Sequence, residues 1–157
     1  SVSEGTLYVY FASREEMLMA ALDNLYEQMA ALIDSAPHIN AADALRDIAR
    51  RHSEMMKTGQ DVFTSPWIEF IAAGNHTGLR ETIAHTQSRA FEKMLRIIER
   101  GQAEGTIRRD LDARRLTWQF YTGMWAENLS SLMGLNEYID DGHSAYSLDL
   151  MLKAAIA

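Results

Sequence analysis

The sequence predicts an all-α protein, and three observations support this fold class. Apolar residues recur at intervals of three and four, which is the period of an amphipathic helix. No long stretch alternates apolar and polar residues with the period of two that indicates a half-buried strand. Only two prolines and nine glycines interrupt the 157 residues, so long helices can form. A chain of this length is expected to form one compact unit around a single sizeable core.

The first complete helix is expected to begin at Arg14. Ser13 and Glu16 have the spacing of a capping box, in which the hydroxyl accepts a backbone N–H and the carboxylate reaches back. Pro37 then stops the helix, because proline cannot continue it. The apolar stripe of this helix comprises Leu18, Leu22, Leu25, Met29 and Leu32.

Two further helices are predicted before residue 75. Asn40 and Asp43 can cap the second helix, which ends near Gly59. Its stripe comprises Leu45, Ile48, His52 and Met55. Ser65-Pro66 is a favourable cap and first-turn pair for a short third helix that ends before Gly74. One side of that helix carries Trp67, Phe70 and Ile71.

Three helices are predicted in the second half of the chain. The longest runs from about Leu79 to Ala103 and is closed by Gly101 and Gly105. Its stripe comprises Ile83, Ala90, Phe91, Met94 and Ile98. Asp112 can cap the next helix, which runs to about Met133, and the last helix occupies Ser144 to Ile156.

The helix over residues 112–133 is apolar on more than one side, which indicates burial of most of its circumference. One stripe comprises Trp118, Tyr121, Trp125, Leu129 and Leu132, and the adjacent stripe comprises Leu116, Phe120, Gly123 and Met124. The last helix adds an apolar face of Leu148, Met151, Leu152 and Ala155. One small core covers only one side of such a helix, so we expect a homodimer through residues 112–133 and 144–156. A core formed within one chain is the alternative.

The composition excludes several classes of protein. The chain has no cysteine, which excludes disulfides, thiolate metal sites and cysteine catalysis and fits a reducing compartment. No apolar run approaches the roughly 20 residues that cross a bilayer, and no signal-peptide pattern opens the sequence. We therefore expect a soluble cytoplasmic protein with no membrane partner.

The sequence carries no convincing catalytic or metal-binding pattern. Gly142-His143-Ser144-Ala145 is similar to the start of a nucleophile elbow, but Tyr146 replaces the second glycine and no strand precedes it. His76 and His85 lie nine residues apart and do not share a helical face, and no His-Glu-x-x-His occurs. We expect no catalytic residues, no metal and no cofactor.

The first eighteen residues, SVSEGTLYVYFASREEML, carry the most specific pattern. Leu7 and Phe11 lie four residues apart and can face a small core, while short residues precede them at the helix amino end. This stretch resembles the recognition helix, and the start of the following helix, in the tetracycline-repressor (TetR) family of transcriptional regulators. The resemblance implies that residues 1–13 are a remnant of a helix-turn-helix DNA-binding domain. Residues 14–157 would then form a helical ligand-binding and dimerisation domain.

The resemblance also implies which residues bind DNA: Ser3, Glu4, Gly5, Thr6, Tyr8, Tyr10 and Arg14. Short side chains at a helix amino end allow close approach, tyrosine hydroxyls can reach a phosphate or a base edge, and arginine binds phosphate. The net charge of −7 opposes DNA binding by the chain as a whole. We expect roughly 30–45 residues of preceding helices to be missing, so specific operator binding would need the full-length protein.

Candidate ligand-binding residues are aromatic or methionine, with one histidine: His52, Trp67, Phe70, Phe91, Met94, Trp118, Tyr121 and Trp125. Such a lining suits a small apolar or aromatic molecule. Aromatic stripes at helical spacing also occur in plain cores, and that alternative stays open. His52 is the best polar candidate because it lies on an otherwise apolar face.

The resemblance therefore implies a ligand-responsive transcriptional repressor that binds operator DNA as a homodimer and is released by an inducer, and the candidate ligand-binding residues suit a small apolar or aromatic one. The helix that starts at Arg14 is expected to transmit the ligand signal, since its first turn abuts the recognition helix. The alternative is a helical dimerisation or small-molecule-binding module without DNA-binding activity.

Overall fold

The computed structural model describes residues 9–35, 40–54, 78–138 and 143–156. Within these ranges the chain is all-α, as predicted, and its β structure is limited to one isolated antiparallel bridge between Ile107 and Ile156. The helices are α1 (Arg14–Asp34), α2 (residues 41–54), α3 (Leu79–Glu104), α4 (Ala113–Leu132) and α5 (His143–Ala155). A short 3₁₀ turn, Asn136–Tyr138, precedes α5. The predicted helix after Ser65-Pro66, and the expected ends at Pro37 and Gly59, lie outside the described residues.

Side-chain caps fix the starts of α1 and α2. Ser13 Oγ accepts the backbone N–H of Glu16 at 3.1 Å, and the Glu16 carboxylate accepts the N–H of Ala12 at 2.6 Å. Asn40 Oδ1 accepts the N–H of Asp43 at 2.9 Å, and its amide nitrogen donates to the Asp43 carboxylate at 2.7 Å. Both predicted caps are confirmed, and each satisfies backbone donors that a helix start leaves without partners.

The link between α3 and α4 is also fixed by local chemistry. Gly105 ends α3 in the left-handed region with φ of 77°, where glycine carries no steric penalty. The carbonyl of Gly101 accepts the N–H groups of Thr106 and Ile107, which turns the chain back. The Asp112 carboxylate accepts the N–H of Arg115 at 2.8 Å and starts α4 as predicted. Gly101 was expected to help close α3 but lies inside it.

The main core is built around α2. The side chains of α2 that are almost completely buried are Ala41, Ala44, Leu45, Ile48, Ala49 and His52. The four other helices contribute Tyr26, Ala30 and Ile33 from α1, Ala90, Met94 and Ile98 from α3, Phe120, Tyr121 and Met124 from α4, and Leu148, Leu152 and Ala155 from α5. All belong to one cluster, so a single hydrophobic core joins the described helices.

The buried face of α1 is rotated from the predicted stripe. The inner positions are Tyr26, Ala30 and Ile33, whereas Met29 and Leu32 are half-buried at the edge of the core. Tyr26 also lies under the guanidinium of Arg89, 4.2 Å from the ring centroid. The small side chain of Ala30 lets α1 approach its neighbours closely. The spacing of large apolar residues in the sequence does not reveal this approach.

Two faces predicted for a dimer are used within the chain instead. On α5, Leu148, Leu152 and Ala155 are buried in the main core. On α4, Met124 is only 4% exposed and lies in the same core, whereas Gly123 is exposed. A hydrophobic stripe shows that residues need burial but does not show which surface buries them. The α5 stripe and Met124 therefore do not offer a free surface.

The amino-terminal ends of α1 and α3 lie together. Leu22 forms a second small cluster with Leu18 and Met19 of α1 and Ile83 of α3. Gly78 begins α3 with φ of 100°, and a Cβ on it would lie 3.9 Å from Oε1 of Glu15 in the first turn of α1. The amino-terminal part of α3 thus packs against that of α1 through Ile83 and Leu22.

Among the glycines of the described residues, Gly101 has the closest neighbours. A Cβ on this residue would lie 2.8 Å from Cβ of Ala41 and 2.6 Å from Cδ1 of Ile107. Both distances are shorter than ordinary van der Waals contact, so the absence of a side chain lets α2 and the returning chain approach the α3 backbone.

Gly101→Ala should therefore destabilise the fold by about 1–2 kcal/mol, since overpacking outweighs the gain of about 1 kcal/mol in helix propensity. The matched control is Gly123→Ala on α4, where a Cβ meets no atom within 4 Å. It should stabilise the fold by about 0.5–1 kcal/mol. Urea denaturation of both variants measures the free energies of unfolding, and shifts of the same sign would contradict this account of Gly101.

Candidate functional site

An apolar groove of about 700 Å³ lies between α3 and α4. Its volume is in the range of pockets that hold small molecules. The residues that line it include Ile83, Gln87 and Phe91 from α3 and Trp118, Tyr121 and Trp125 from α4. The structure thus brings together four of the predicted ligand-binding residues on two helices.

The aromatic rings form a continuous row. The ring centroids of Phe91 and Trp118 are 6.3 Å apart, those of Phe91 and Tyr121 are 6.0 Å apart and perpendicular, and those of Tyr121 and Trp125 are 6.3 Å apart. These are favourable aromatic geometries. The row forms because Trp118, Tyr121 and Trp125 share one face of α4. At its edge, the guanidinium of Arg114 lies 5.4 Å from the Phe91 centroid.

Two of these rings are too exposed to be plain core. Trp118 is 57% exposed and Trp125 is 39% exposed, whereas Phe91 is half-buried and Tyr121 is buried. A cluster of exposed large aromatic side chains is typical of a binding surface. The buried rings give the groove a fixed floor, and the exposed rings can contact a ligand.

Tyr121 is the main polar group in the floor of the groove. Its hydroxyl donates to the side-chain carbonyl of Gln87, which ties α4 to α3. Burial raises the pKa of Tyr121 to about 12, against a smaller lowering by its hydrogen bond with Trp125. The phenol is therefore neutral in the folded protein at ordinary pH.

The other predicted ligand-binding residues do not line this groove. Met94 is completely buried in the main core. Trp67 and Phe70 lie outside the described residues. His52 lies on α2 and belongs to a separate polar cluster.

This polar cluster joins α2 to α4 inside the fold. His52 is completely buried, and its Nδ1 lies 3.4 Å from Oε2 of Glu127. Ser53 Oγ donates to Oε1 of Glu127 at 3.5 Å. Both nitrogens of His52, Oε2 of Glu127 and Oδ1 of Asn128 are buried, and none has a hydrogen-bond partner among the described residues. Most buried polar atoms in folded proteins have a partner in the protein or in ordered water.

Glu127 was missed by the sequence analysis, although the sequence contains a signal. It is the only charged residue between residues 116 and 136, and it lies three residues after Met124 on the same face of an apolar helix. A single acidic residue on an apolar helix face is seldom buried unless a polar group pairs with it.

The family is decided by residues 42–126, which match a family model described as "Tetracyclin repressor-like, C-terminal domain". The chain belongs to the TetR family of transcriptional regulators. The match covers more than half of the chain and includes the part of the groove formed by Phe91, Trp118, Tyr121 and Trp125. The family is one of transcriptional regulators and not of enzymes.

Solved structures show the same fold over nearly the whole chain. A protein assigned to the TetR family from Rhodococcus sp. aligns with a TM-score of 0.76 and 22% identity, over 98% of this chain and 81% of that one. A member of the TetR family from Streptomyces coelicolor A3 aligns with a TM-score of 0.63 and 17% identity, over 97% of this chain and 74% of that one. A search of curated proteins gave no match.

The segment that resembles the TetR recognition helix is described only at its end. Tyr10 is 76% exposed and Arg14 is exposed in the first turn of α1. Ser3, Glu4, Gly5, Thr6 and Tyr8 lie outside the described residues. Where it is described, the segment has its polar side chains at the surface.

Two kinds of feature are absent from the described residues. None of their helices is long and apolar enough to cross a membrane. In the same ranges, no group of three or more histidine, aspartate or glutamate side chains is placed to hold a metal ion.

The raised pKa of Tyr121 predicts a stability that depends on pH. Above pH 10 Tyr121 loses its proton in the unfolded chain but keeps it in the folded protein. The contribution of Tyr121 to the free energy of unfolding is therefore complete below pH 10 and is lost towards pH 12. Between pH 9 and pH 11.5 the free energy of unfolding of the wild type should fall by about 2 kcal/mol more than that of Tyr121→Phe. Urea denaturation at both pH values measures this difference. Tyr138→Phe, at a 73% exposed tyrosine, is the control and should lose as much as the wild type.

Proposed function

We propose that this TetR-family chain acts in a ligand-responsive repressor. It binds operator DNA as a homodimer and releases the DNA when an apolar or aromatic molecule occupies the groove between α3 and α4. The row of Phe91, Trp118, Tyr121 and Trp125 carries this proposal, because exposed rings line a groove of small-molecule size. Residues 1–13 belong to the DNA-binding domain, and residues 14–157 form the regulatory domain.

DNA contact is proposed at the recognition helix and the start of α1. Tyr10 is exposed, and Ser13 caps α1 immediately after it, so the position of Tyr10 is tied to that of α1. Arg14 follows the cap and can bind a phosphate. Ser3, Glu4, Gly5, Thr6 and Tyr8 complete the proposed DNA surface by resemblance to the family. Because the chain has a net charge of −7, DNA is expected to bind at this surface and not elsewhere on the chain.

A short path of contacts connects the groove to this surface. Ile83 lines the groove and also packs against Leu22 of α1. A ligand that favours one position of α3 therefore biases α1, and α1 carries the recognition helix at its amino end. By linkage, such a ligand weakens DNA binding by the factor by which DNA weakens ligand binding, typically about 1–3 kcal/mol.

The homodimer is proposed to form through the outer sides of α4 and α5. Gly123 is exposed and borders a groove of about 250 Å³ between these helices. Leu129 on α4 and Tyr146 and Leu150 on α5 are large apolar residues with 46%, 64% and 50% exposure. A second copy would remove this apolar surface from water.

Operator binding is tested with Tyr10→Ala in the full-length protein. On a duplex selected by the wild type from random DNA, the variant should bind about 1–3 kcal/mol more weakly, because it loses a contact to a base or a phosphate. Val9→Ala is the matched control, since Val9 is the exposed neighbour and has no polar group. Fluorescence anisotropy gives both affinities. If the wild type selects no duplex, the alternative of a ligand-binding module without DNA-binding activity is favoured.

The dimer is tested with Gly123→Arg, which places a charge on the proposed interface without filling the core. The variant should sediment as a monomer at concentrations where the wild type is dimeric. Ala103→Arg adds the same charge to an exposed position on α3 and should stay dimeric. A dimer of unchanged stability in Gly123→Arg would place the interface elsewhere.

A further inference from the structure

We infer that Gln87 selects the ligand in the groove between α3 and α4. Its side-chain amide donates a hydrogen bond, so the ligand is a flat aromatic molecule with a carbonyl group or a similar acceptor near the middle of its length. This inference rests on the proposed ligand-binding function of the groove and defines the chemical class of the ligand.

A chain of hydrogen bonds in the floor of the groove orients the Gln87 amide. Trp125 is hydrogen-bonded to the hydroxyl of Tyr121, and this hydroxyl is hydrogen-bonded to Oε1 of Gln87. The indole N–H of tryptophan only donates, so the Tyr121 oxygen accepts it. Burial raises the pKa of Tyr121 to about 12, so the hydroxyl keeps its proton and donates it to Gln87. The amide oxygen therefore faces Tyr121, and the amide nitrogen is left for another partner.

The amide nitrogen of Gln87 is the free end of this chain of hydrogen bonds. It has no hydrogen-bond partner among the described residues. It carries two N–H donors and does not accept. Gln87 is half-buried and lines the groove, so a ligand that covers it removes water from these donors. A ligand without an acceptor leaves them unpaired, which costs free energy, whereas a carbonyl oxygen pairs with them.

Two further hydroxyl groups in the described lining, those of Ser88 and Thr122, already have partners. Ser88 Oγ donates to the backbone carbonyl of His85 at 2.8 Å. Thr122 Oγ1 donates to the backbone carbonyl of Trp118 at 2.8 Å. Each proton is thus used within its own helix, and Gln87 supplies the uncharged donor that a ligand can reach.

The charged residues of the described lining are too exposed to select a ligand strongly. Arg80 is exposed. Nη1 of Arg114 lies 3.2 Å from Oε1 of Glu92, and these two side chains are 66% and 45% exposed. Charges that stay in contact with water gain little from a new partner. Selection by hydrogen bonding is therefore assigned to Gln87.

The position of Gln87 along α3 places the acceptor within the ligand. Ile83, Gln87 and Phe91 follow one another at intervals of four residues on one face of α3, and all three line the groove. Gln87 is therefore about 6 Å along the helix axis from each of the other two. Its amide faces the middle of a molecule whose ends lie against Ile83 and Phe91. A carbonyl group between two aromatic rings fits this arrangement.

The test compares 9-fluorenone with fluorene, which has the same fused rings without the carbonyl oxygen. Equilibrium dialysis with the full-length protein at pH 7.5 gives both dissociation constants. The carbonyl preference is the Kd of fluorene divided by the Kd of 9-fluorenone. It is compared between proteins, so the difference in hydration of the free probes cancels. Fluorene-2-carbaldehyde carries its carbonyl group at one end, and the wild type should bind it about three-fold or more weakly than 9-fluorenone.

Gln87→Glu keeps the shape of the side chain and an acceptor for the Tyr121 hydroxyl, but it replaces the N–H donors with a carboxylate oxygen. The carbonyl preference should fall by about five-fold or more. Gln87→Met removes the donors without adding a charge and should also lower the preference. The control is Gln119→Glu, at an exposed position of α4 outside this groove, which adds the same charge and should leave the preference unchanged. Trp118→Ala should weaken fluorene and 9-fluorenone by similar factors, because it removes a contact to the rings.

The outcomes separate this inference from the proposed function. An unchanged carbonyl preference in Gln87→Glu and Gln87→Met would overturn the role of Gln87, and the groove would still stand if Trp118→Ala weakens both probes. Equal binding of the aldehyde and 9-fluorenone by the wild type would overturn the central position of the acceptor. Failure of both fluorene and 9-fluorenone to bind the wild type would overturn the ligand site together with this inference.

Discussion

The fold depends on the close approach of helices around the buried helix α2. Small side chains such as Ala41, Ala44 and Ala49 let neighbouring backbones come near. At Ala41, the α3 backbone can approach because Gly101 has no side chain. Dispersion contacts fall off steeply with distance, so this approach determines how much each neighbouring helix gains by packing. The other helices pack against α2 with one face, and their remaining faces lie towards other helices or the surface.

α4 shows how those remaining faces are divided. One side is buried in the core through Phe120 and Met124, and the side next to α3 carries Trp118 and Trp125 at the surface. The side next to α5 is open at Gly123. A helix whose sequence is apolar on more than one side thus has three different environments: the core, the side next to α3 and the side next to α5. The residues of α4 that are buried in the core therefore differ from those that are proposed to bind a ligand or to form a dimer.

Local features were predictable from the sequence because their causes are local. The caps at Ser13, Asn40 and Asp112 depend on residues within one helical turn. The row of Trp118, Tyr121 and Trp125 follows from helical spacing on one helix. The resemblance of the opening residues indicated the family, and the match over residues 42–126 confirmed it.

Features that depend on distant residues were not predictable. Periodicity showed that Met124 and Leu148 needed burial, but not that the chain itself buries them. The inner position of Ala30 depends on how closely α1 packs against its neighbours. The polar cluster required Glu127 to meet His52, which lies 75 residues earlier, and a stripe on either helix alone gives no sign of that pairing.

The continuity of α3 has a mechanical consequence. No glycine or proline interrupts the helix between Leu79 and Phe91, so this stretch is a stiff lever arm about 18 Å long. A rotation of about 5° about a pivot near Phe91 would displace the start of α3 by roughly 1.5 Å, given that length. Near that end, Ile83 of α3 packs against Leu22 of α1. A change too small to disturb the packing of the rings can therefore become a displacement comparable to a bond length at the amino-terminal part of α1, next to the segment that is proposed to contact DNA.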